Sequence, residues 1–209
     1  TAIVTLAGII NACKVTNRQI SSLKVVINGV GAAGTAIAKL LLNYGVKDIV
    51  MVDSKGAIYE GRDGLNPEKE MVAKITNSDK ISGKLEDVIV GRDVFIGVSV
   101  AGALTAEMVK KMAPNPIIFA MANPIPEIMP EVAKEAGAQI IGTGRSDYPN
   151  QVNNVLAFPG IFKGVLKYGK KQITEEMKIK AAEAIAGYIQ NQSVDEIYQI
   201  RLIRVLLMW

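Results

Sequence analysis

Gly29-Val30-Gly31-Ala32-Ala33-Gly34 directly follows the apolar run Val25-Val26-Ile27-Asn28. A Gly-x-Gly-x-x-Gly between a strand and a helix can bring free backbone N–H groups onto a diphosphate. The first glycine permits the tight turn, the second lets the backbone approach, and the third lets the helix close on the sheet. The helix start adds a favourable dipole. About 20 residues beyond the last glycine stands Asp53, at the end of a second apolar run, where a carboxylate can accept hydrogen bonds from an adenosine ribose. A carboxylate there repels a 2′-phosphate, which favours NAD over NADP, although Ser54 and Lys55 beside it could help hold such a phosphate.

Two later stretches carry polar groups of a different kind. In Ala122-Asn123-Pro124-Ile125-Pro126-Glu127 the prolines fix the chain so that Asn123 is presented rigidly, although Asn-Pro by itself also reads as a turn initiator. Gly142 to Asn154 is dense in hydrogen-bonding side chains and ends in the pair Asn153-Asn154. Neutral amides suit a small carboxylate substrate, because they orient both oxygens without fixed charge that would hold the product as tightly. Such side chains can instead close their own turns. The chain has no histidine, which excludes Ser-His-Asp and Cys-His nucleophilic chemistry and any His-ligated metal within these residues. Any acid or base here is Asp, Glu, Lys, Tyr or Cys.

The elements that must position these groups are legible as five short Val- and Ile-rich runs, Lys24–Asn28, Asp48–Val52, Asp93–Gly97, Ile117–Met121 and Gln139–Gly142. Each reads as a buried strand. Helical spacing fills the intervals, as in Ala33, Ile37, Leu40 and Leu41, or Met108, Val109 and Met112. Strand alternating with helix predicts an α/β fold, a doubly wound parallel sheet whose ligands bind beyond the carboxyl ends of the strands. In the expected order the run Ile117–Met121, fourth in sequence, adjoins the first, which would aim Asn123 at the nicotinamide half of a dinucleotide. Extra carboxyl-terminal helices follow, one with Ile161, Val165 and Leu166, and one with Ile179, Ala182, Ile185, Ala186 and Ile189 that opens on Glu175 and Glu176. Ser193 with Glu196 reads as a capping box that starts a last apolar segment through Leu202, Ile203, Val205, Leu206 and Leu207 to Trp209.

The 209 residues suffice for one substantial core, and 24 Lys plus Arg against 20 Asp plus Glu are spread along the chain, so charge gives no support to nucleic-acid binding. No apolar run reaches the roughly 18 residues of a bilayer span, which makes the expectation a soluble protein with no membrane partner. The single cysteine, Cys13, lies among apolar neighbours and reads as a buried free thiol, and the cytoplasm is the expected location. Thr1 opens an apolar run without a preceding cap, as though a helix began upstream and the chain were a piece of a longer protein.

Taken together, TAIV at the start, NGVGAAG, MVDSKGAIYEGRDGLN, FIGVS, FAMANPIPEI and GTGRSDYPNQVNNVLAFPGIFKG resemble the cofactor domain of malic enzyme in its short prokaryotic-type form. The resemblance runs from Thr1 to about Glu196, and it implies that residues 1–209 form an NAD(P)-binding domain whose amino-terminal partner domain is absent. It further implies that Gly29, Gly31, Ala32, Ala33, Gly34 and Asp53 hold the cofactor, that Gly97, Val98 and Ser99 line its path, that Thr1 touches it, and that Asn123, Asn153 and Asn154 contact malate. Members of the family oxidise malate at C2 by hydride transfer. They then decarboxylate the bound oxaloacetate to pyruvate with Mg²⁺ or Mn²⁺ polarising the ketone. By the same resemblance the Tyr and Lys acid-base pair and the acidic metal ligands lie upstream, so this chain is expected to bind cofactor weakly and not to turn over malate unaided. A homo-oligomer is implied for the intact protein. The family pattern fails at Gln199-Ile200-Arg201-Leu202, where a different apolar ending begins. The alternative from another class is a non-catalytic nucleotide-sensing or assembly module, which suits the lack of histidine and the apolar tail. An amino-acid dehydrogenase cofactor domain is disfavoured by the Asn-Pro and Gln-Val-Asn-Asn strings.

Overall fold

The structure, a computed structural model, describes residues 1–199. Strand β1 (Lys24–Asn28), β2 (Asp48–Asp53), β4 (Val94–Gly97), β5 (Ile117–Ala120) and β6 (Ile140–Thr143) are parallel. A two-residue strand, β3 (Gly56–Ala57), turns back antiparallel on β2 at one edge. The strands are apolar at nearly every position because both faces are buried. Val25, Ile27, Ile49, Met51, Ile96 and Phe119 point into one core, and Val26, Val50, Phe95 and Ile118 into the other.

Helices α1 (Ala2–Thr16), α2 (Ala32–Tyr44), α3 (Pro67–Ile75) and α8 (Glu175–Gly187) supply the cover on the first face. On the second lie α4 (Leu85–Val88), α5 (Ala106–Lys110) and α6 (Pro130–Glu135). This is the doubly wound α/β sheet expected from the alternation of strand and helix patterns.

The strand order β3-β2-β1-β4-β5-β6 corrects one expectation. The neighbour of β1 on its second side is the run Val94–Gly97, third of the five long runs, and not Ile117–Ala120. The edge place beside β2 is filled by the short Gly56–Ala57 strand, which no periodicity reveals, so the count of long runs slips by one. Asn123 therefore follows a strand two places from β1. The cleft between β1 and β4 is bordered by the loop after Gly97.

Helix α1 is apolar on almost every side, which fits its place between the sheet, α2 and α8. Ala182 and Ala186 of α8 are buried against it, while Glu175 and Glu176 occupy the first turn of α8 as expected. The segment Ile197–Tyr198 is fastened to the same helix. Tyr198 is buried, its hydroxyl donates to the Val4 carbonyl at 2.8 Å, and its ring lies where a side chain on Gly8 would stand. Asn11 donates to the carbonyls of Ala186 and Ile197, both at 3.0 Å. Cys13 is buried and free, and burial pushes its thiol up to about 12.

Ser193 and Glu196 do not cap a helix. Each backbone N–H donates to the other's carbonyl across a two-residue turn, and this turn delivers Ile197 and Tyr198 to the core. The apolar segment Leu202 to Trp209 lies outside the described residues.

Helix α7 (Phe158–Lys167) lies at the margin of the first core and touches it through the half-buried Ile161. None of its residues is buried, and Phe158, Phe162 and Leu166 are exposed.

Candidate functional site

The glycine loop has the geometry its spacing predicts. Gly29 has φ 119, and a β-carbon there would press on the Val98 carbonyl, so only glycine fits the turn. A side chain on Gly34 would run into the Gly29 carbonyl, because α2 folds down onto its own entry loop. Gly31 is the N-cap of α2 and has open space where a side chain would be. Ala32 is exposed and Ala33 half-buried in the first turn, and no side chain caps the helix, so its leading N–H groups face an unfilled approach. Thr1 lines a different hollow, shared with Ala32, Thr35 and Lys39 beside the same first turns.

A hollow of about 430 Å³ opens at the carboxyl ends of β1, β2 and β4. It is lined by Asn28, Gly29, Asp53, Ser54, Lys84 and Ser99 among others. Asp53 is its best-anchored residue. Oδ1 accepts from Arg62 Nη1 at 3.0 Å and from the Lys55 N–H at 2.9 Å, and Oδ2 accepts from Arg62 Nη2 at 2.7 Å and Lys69 Nζ at 2.6 Å. Burial by itself would raise its pKa. The hydrogen bonds from Arg62, Lys69 and the Lys55 amide outweigh that and hold the carboxyl well below the usual carboxylate range. Four donors saturate the carboxylate, so a ribose hydroxyl would have to displace one of them. Nothing in the local sequence marks Arg62, in the turn after β3, or Lys69, in the first turns of α3, as partners of Asp53, and only the fold brings them to it.

The loop after β4 enters the same cleft. Ser99 lines the hollow, the Val98 carbonyl backs the Gly29 turn, and Gly97 is buried. The open side of Gly97 is filled by the carboxylate of Glu127, with which a β-carbon would collide. Glu127 is 0% exposed. Its Oε1 accepts from the Ser99 N–H at 2.8 Å and the Ser99 hydroxyl at 3.1 Å, and its Oε2 accepts from the Ala122 N–H at 2.9 Å. The Ser99 hydroxyl in turn accepts from Asn28 Nδ2 at 2.9 Å. Asn123, next to Ala122, is exposed and precedes a cis bond to Pro124.

In the loop after β6 many of the polar side chains close the loop itself. Asn150, in the left-handed region at φ 56, donates to the carbonyls of Ile141 and Val194 and accepts from the Ile197 N–H. Arg145 forks onto Asp147. Asn153 caps the short 3-10 turn Asn154–Leu156, its Oδ1 accepting from the Val155 N–H at 3.0 Å. Asn154 is exposed. The loops after β5 and β6 start side by side, since Ala120 is in register with Thr143. The amides therefore share one end of the sheet.

Among the described residues no group of three or more His, Cys, Asp or Glu side chains is arranged to hold a metal ion. The described residues do not by themselves offer a cage for the Mg²⁺ or Mn²⁺ that the sequence resemblance implies. For a dinucleotide the fit is good, since the open face of Gly31, the uncapped start of α2 and the adjoining hollow together form a cradle for a diphosphate and a nucleoside.

A doubly wound sheet with this loop at its switch point defines a dinucleotide-binding domain. The comparisons narrow the class. The family model of the malic enzyme NAD-binding domain matches residues 1–204, and the chain belongs to that family. It is 65% identical over 201 residues to the bifunctional malic/malolactic enzyme of Bacillus subtilis, covering 96% of this chain and 49% of that protein. It is 49% identical over 189 residues to the NADP-dependent malic enzyme of Escherichia coli, covering 89% of this chain and 25% of that protein. Among solved structures, the NAD-dependent malic enzyme of Thermotoga maritima superposes with a TM-score of 0.92 at 48% identity, covering 99% of this chain and 55% of that one. The chain thus spans about half, or less, of the length of the relatives it matches.

Proposed function

We propose that this chain is the dinucleotide-binding portion of an enzyme that oxidises and decarboxylates malate to pyruvate and CO₂ with reduction of NAD or NADP. The observation that carries the reading is the glycine loop at the β1–α2 switch point, with Gly31 open to a diphosphate and the hollow beside it bounded by Asp53 and Ser99. When bound, the nicotinamide supplies a two-electron hydride acceptor. The protein's share is positional. The leading N–H groups of α2 take the diphosphate, the hollow takes the adenosine, and the amides of Asn123, Asn153 and Asn154 orient the carboxylates of a four-carbon diacid. No proton-transfer step is assigned to a residue of this chain.

Sequence alone favours NAD, and the surroundings of Asp53 weaken that preference. Arg62 and Lys69 cover its charge, which removes much of the repulsion toward a 2′-phosphate, and Lys55 and Lys84 stand nearby. Binding of both dinucleotides is the reading the geometry supports. A cytoplasmic location and a homo-oligomeric intact protein belong to the same proposal. The reduced, buried Cys13 suits such a compartment, and no described helix is long and apolar enough to cross a membrane.

Titration of this chain with NADH, followed by fluorescence with and without malate, tests the reading. Binding that responds to malate is expected. Binding indifferent to malate favours a nucleotide-sensing module, and absence of binding overturns the proposal. NADH formation from malate and Mn²⁺ by this chain alone is expected to be undetectable.

A further inference from the structure

We propose that Glu127 is a positioning residue that couples the cofactor side of the cleft to the substrate side. The inference rests on the dinucleotide-and-malate reading above and deepens it. A carboxylate that is wholly out of contact with solvent is expensive unless its oxygens are fully used. Here both are used, by three donors from two separate loops and, among the described residues, by no cation. Oε1 holds the N–H and hydroxyl of Ser99, which borders the nucleotide hollow, and Oε2 holds the N–H of Ala122, which precedes Asn123.

Two backbone bonds reinforce the junction, from the Leu104 N–H to the Glu127 carbonyl at 3.1 Å and from the Gly102 N–H to the Pro126 carbonyl at 3.3 Å. On its far side the network continues through Ser99 to Asn28, at the end of β1 beside Gly29. One unbroken chain of hydrogen bonds therefore runs from the glycine-loop strand to the residue before the malate-side amide. Gly97 has no side chain, and that vacancy is where the carboxylate sits.

The chemistry discriminates sharply between Glu and its isostere. Every partner of Glu127 is a donor, so the site asks for acceptors only. In Glu127→Gln one half of the head group becomes an NH₂ facing an N–H, and either Ser99 or Ala122 is released while size is unchanged. Without the carboxylate the two loops keep their own folds but lose their common anchor. Occupation of the nucleotide hollow then no longer sets the position of Asn123.

The test uses ¹⁵N-labelled wild-type chain and Glu127→Gln, each titrated with NADH and followed by amide chemical shifts and hydrogen exchange. In the wild type, NADH is expected to shift Gly31, Ser99, Ala122 and the Asn123 side chain together. In Glu127→Gln the Gly31 shift persists, the Ala122 and Asn123 responses fall at least threefold, and exchange at Ala122 or Ser99 accelerates at least tenfold while amides of β1 and β4 keep their protection. Equal responses of Ala122 and Asn123 in both proteins overturn the coupling and leave the cofactor reading standing. A wild type whose Gly31 is indifferent to NADH overturns the cofactor reading and the coupling with it. A purely structural role would speed exchange throughout the sheet without separating Gly31 from Asn123, and that pattern also counts against the proposal. If Glu127→Gln does not fold, Ser99→Ala serves. It keeps the Ala122 bond to Oε2 and the residue-99 backbone bond to Oε1 but cuts the hydroxyl link to Asn28, so Ala122 should stay protected while its response to NADH falls, and an undiminished response is the overturning result.

Discussion

The ends of β1, β2 and β4 differ from those of β5 and β6 in how far the chain finishes its own work. On the first side Asp53 is held by Arg62, Lys69 and the Lys55 amide, Asn28, Ser99 and Glu127 satisfy one another, and the polar atoms around the hollow are held to fixed positions. On the second, Asn123 and Asn154 are exposed, and the neighbouring helix α7 shows Phe158, Phe162 and Leu166 to solvent. A diphosphate cradle can be completed by one domain because backbone and helix dipole do most of the binding. A small diacid must be surrounded, which takes walls from more than one direction.

Substitutions can sharpen or erase this contrast. The largest effect is expected from Gly97→Leu, since the new side chain must displace the buried Glu127 carboxylate and break its three hydrogen bonds. A loss of about 4 kcal/mol in urea denaturation, or failure to fold, is the expected outcome. Arg62→Ala comes next, with about 2 kcal/mol lost because Asp53 keeps only Lys69 and one amide. The same variant unmasks carboxylate charge, so NADPH binding should weaken relative to NADH binding. An unchanged ratio would show that Asp53 does not sense the 2′-position. On the open side, Asn153→Ala should cost about 1 kcal/mol through its lost cap and Asn123→Ala less than about 0.5 kcal/mol, while both diminish the malate response of bound NADH. Comparable stability losses at Asn123 and Gly97 would erase the contrast.

Titration separates the regions as well. The folded Asp53 carboxyl titrates below its unfolded value of about 4, so its contribution is fully present above that pH and is lost as pH falls further. Asp53→Asn should therefore flatten the acid limb of a stability profile. Cys13 shifts the other way. An unfolded chain ionises this thiol above about pH 8.5 while the fold keeps it protonated, so stability falls as pH rises from there. Labelling of Cys13 by a thiol reagent at pH 9 should accordingly proceed at the rate of global opening.

The strands and the glycine loop are readable in the sequence because their causes are local. Burial on both faces makes a parallel strand uniformly apolar, and the turn geometry at Gly29 demands a particular residue type. The parts that were not legible depend on distant partners. Glu127 follows two prolines and looks like a solvated acid before a helix, and nothing nearby announces that Gly97 leaves a space for it. Arg62 and Lys69 reach Asp53 only after β3 turns the chain back. Ser193 and Glu196 have the spacing of a capping box, yet the core waiting for Ile197 and Tyr198, with Asn150 and Asn11 taking the Ile197 backbone, makes the turn the better solution. Many amides of the loop after β6 read as binding groups, while Asn150 is spent wholly on joining Ile141 of β6 to Val194 and Ile197.

The seat of Tyr198 over Gly8 has a consequence for biosynthesis. Helix α1, greasy around nearly its whole circumference, gains β1 and α2 as neighbours soon after it leaves the ribosome. Among the described residues the rest of its cover arrives only when the segment from Ala182 to Tyr198 has been translated. Until then the nascent chain keeps one apolar face of the helix open, which is the kind of surface that holding chaperones retain.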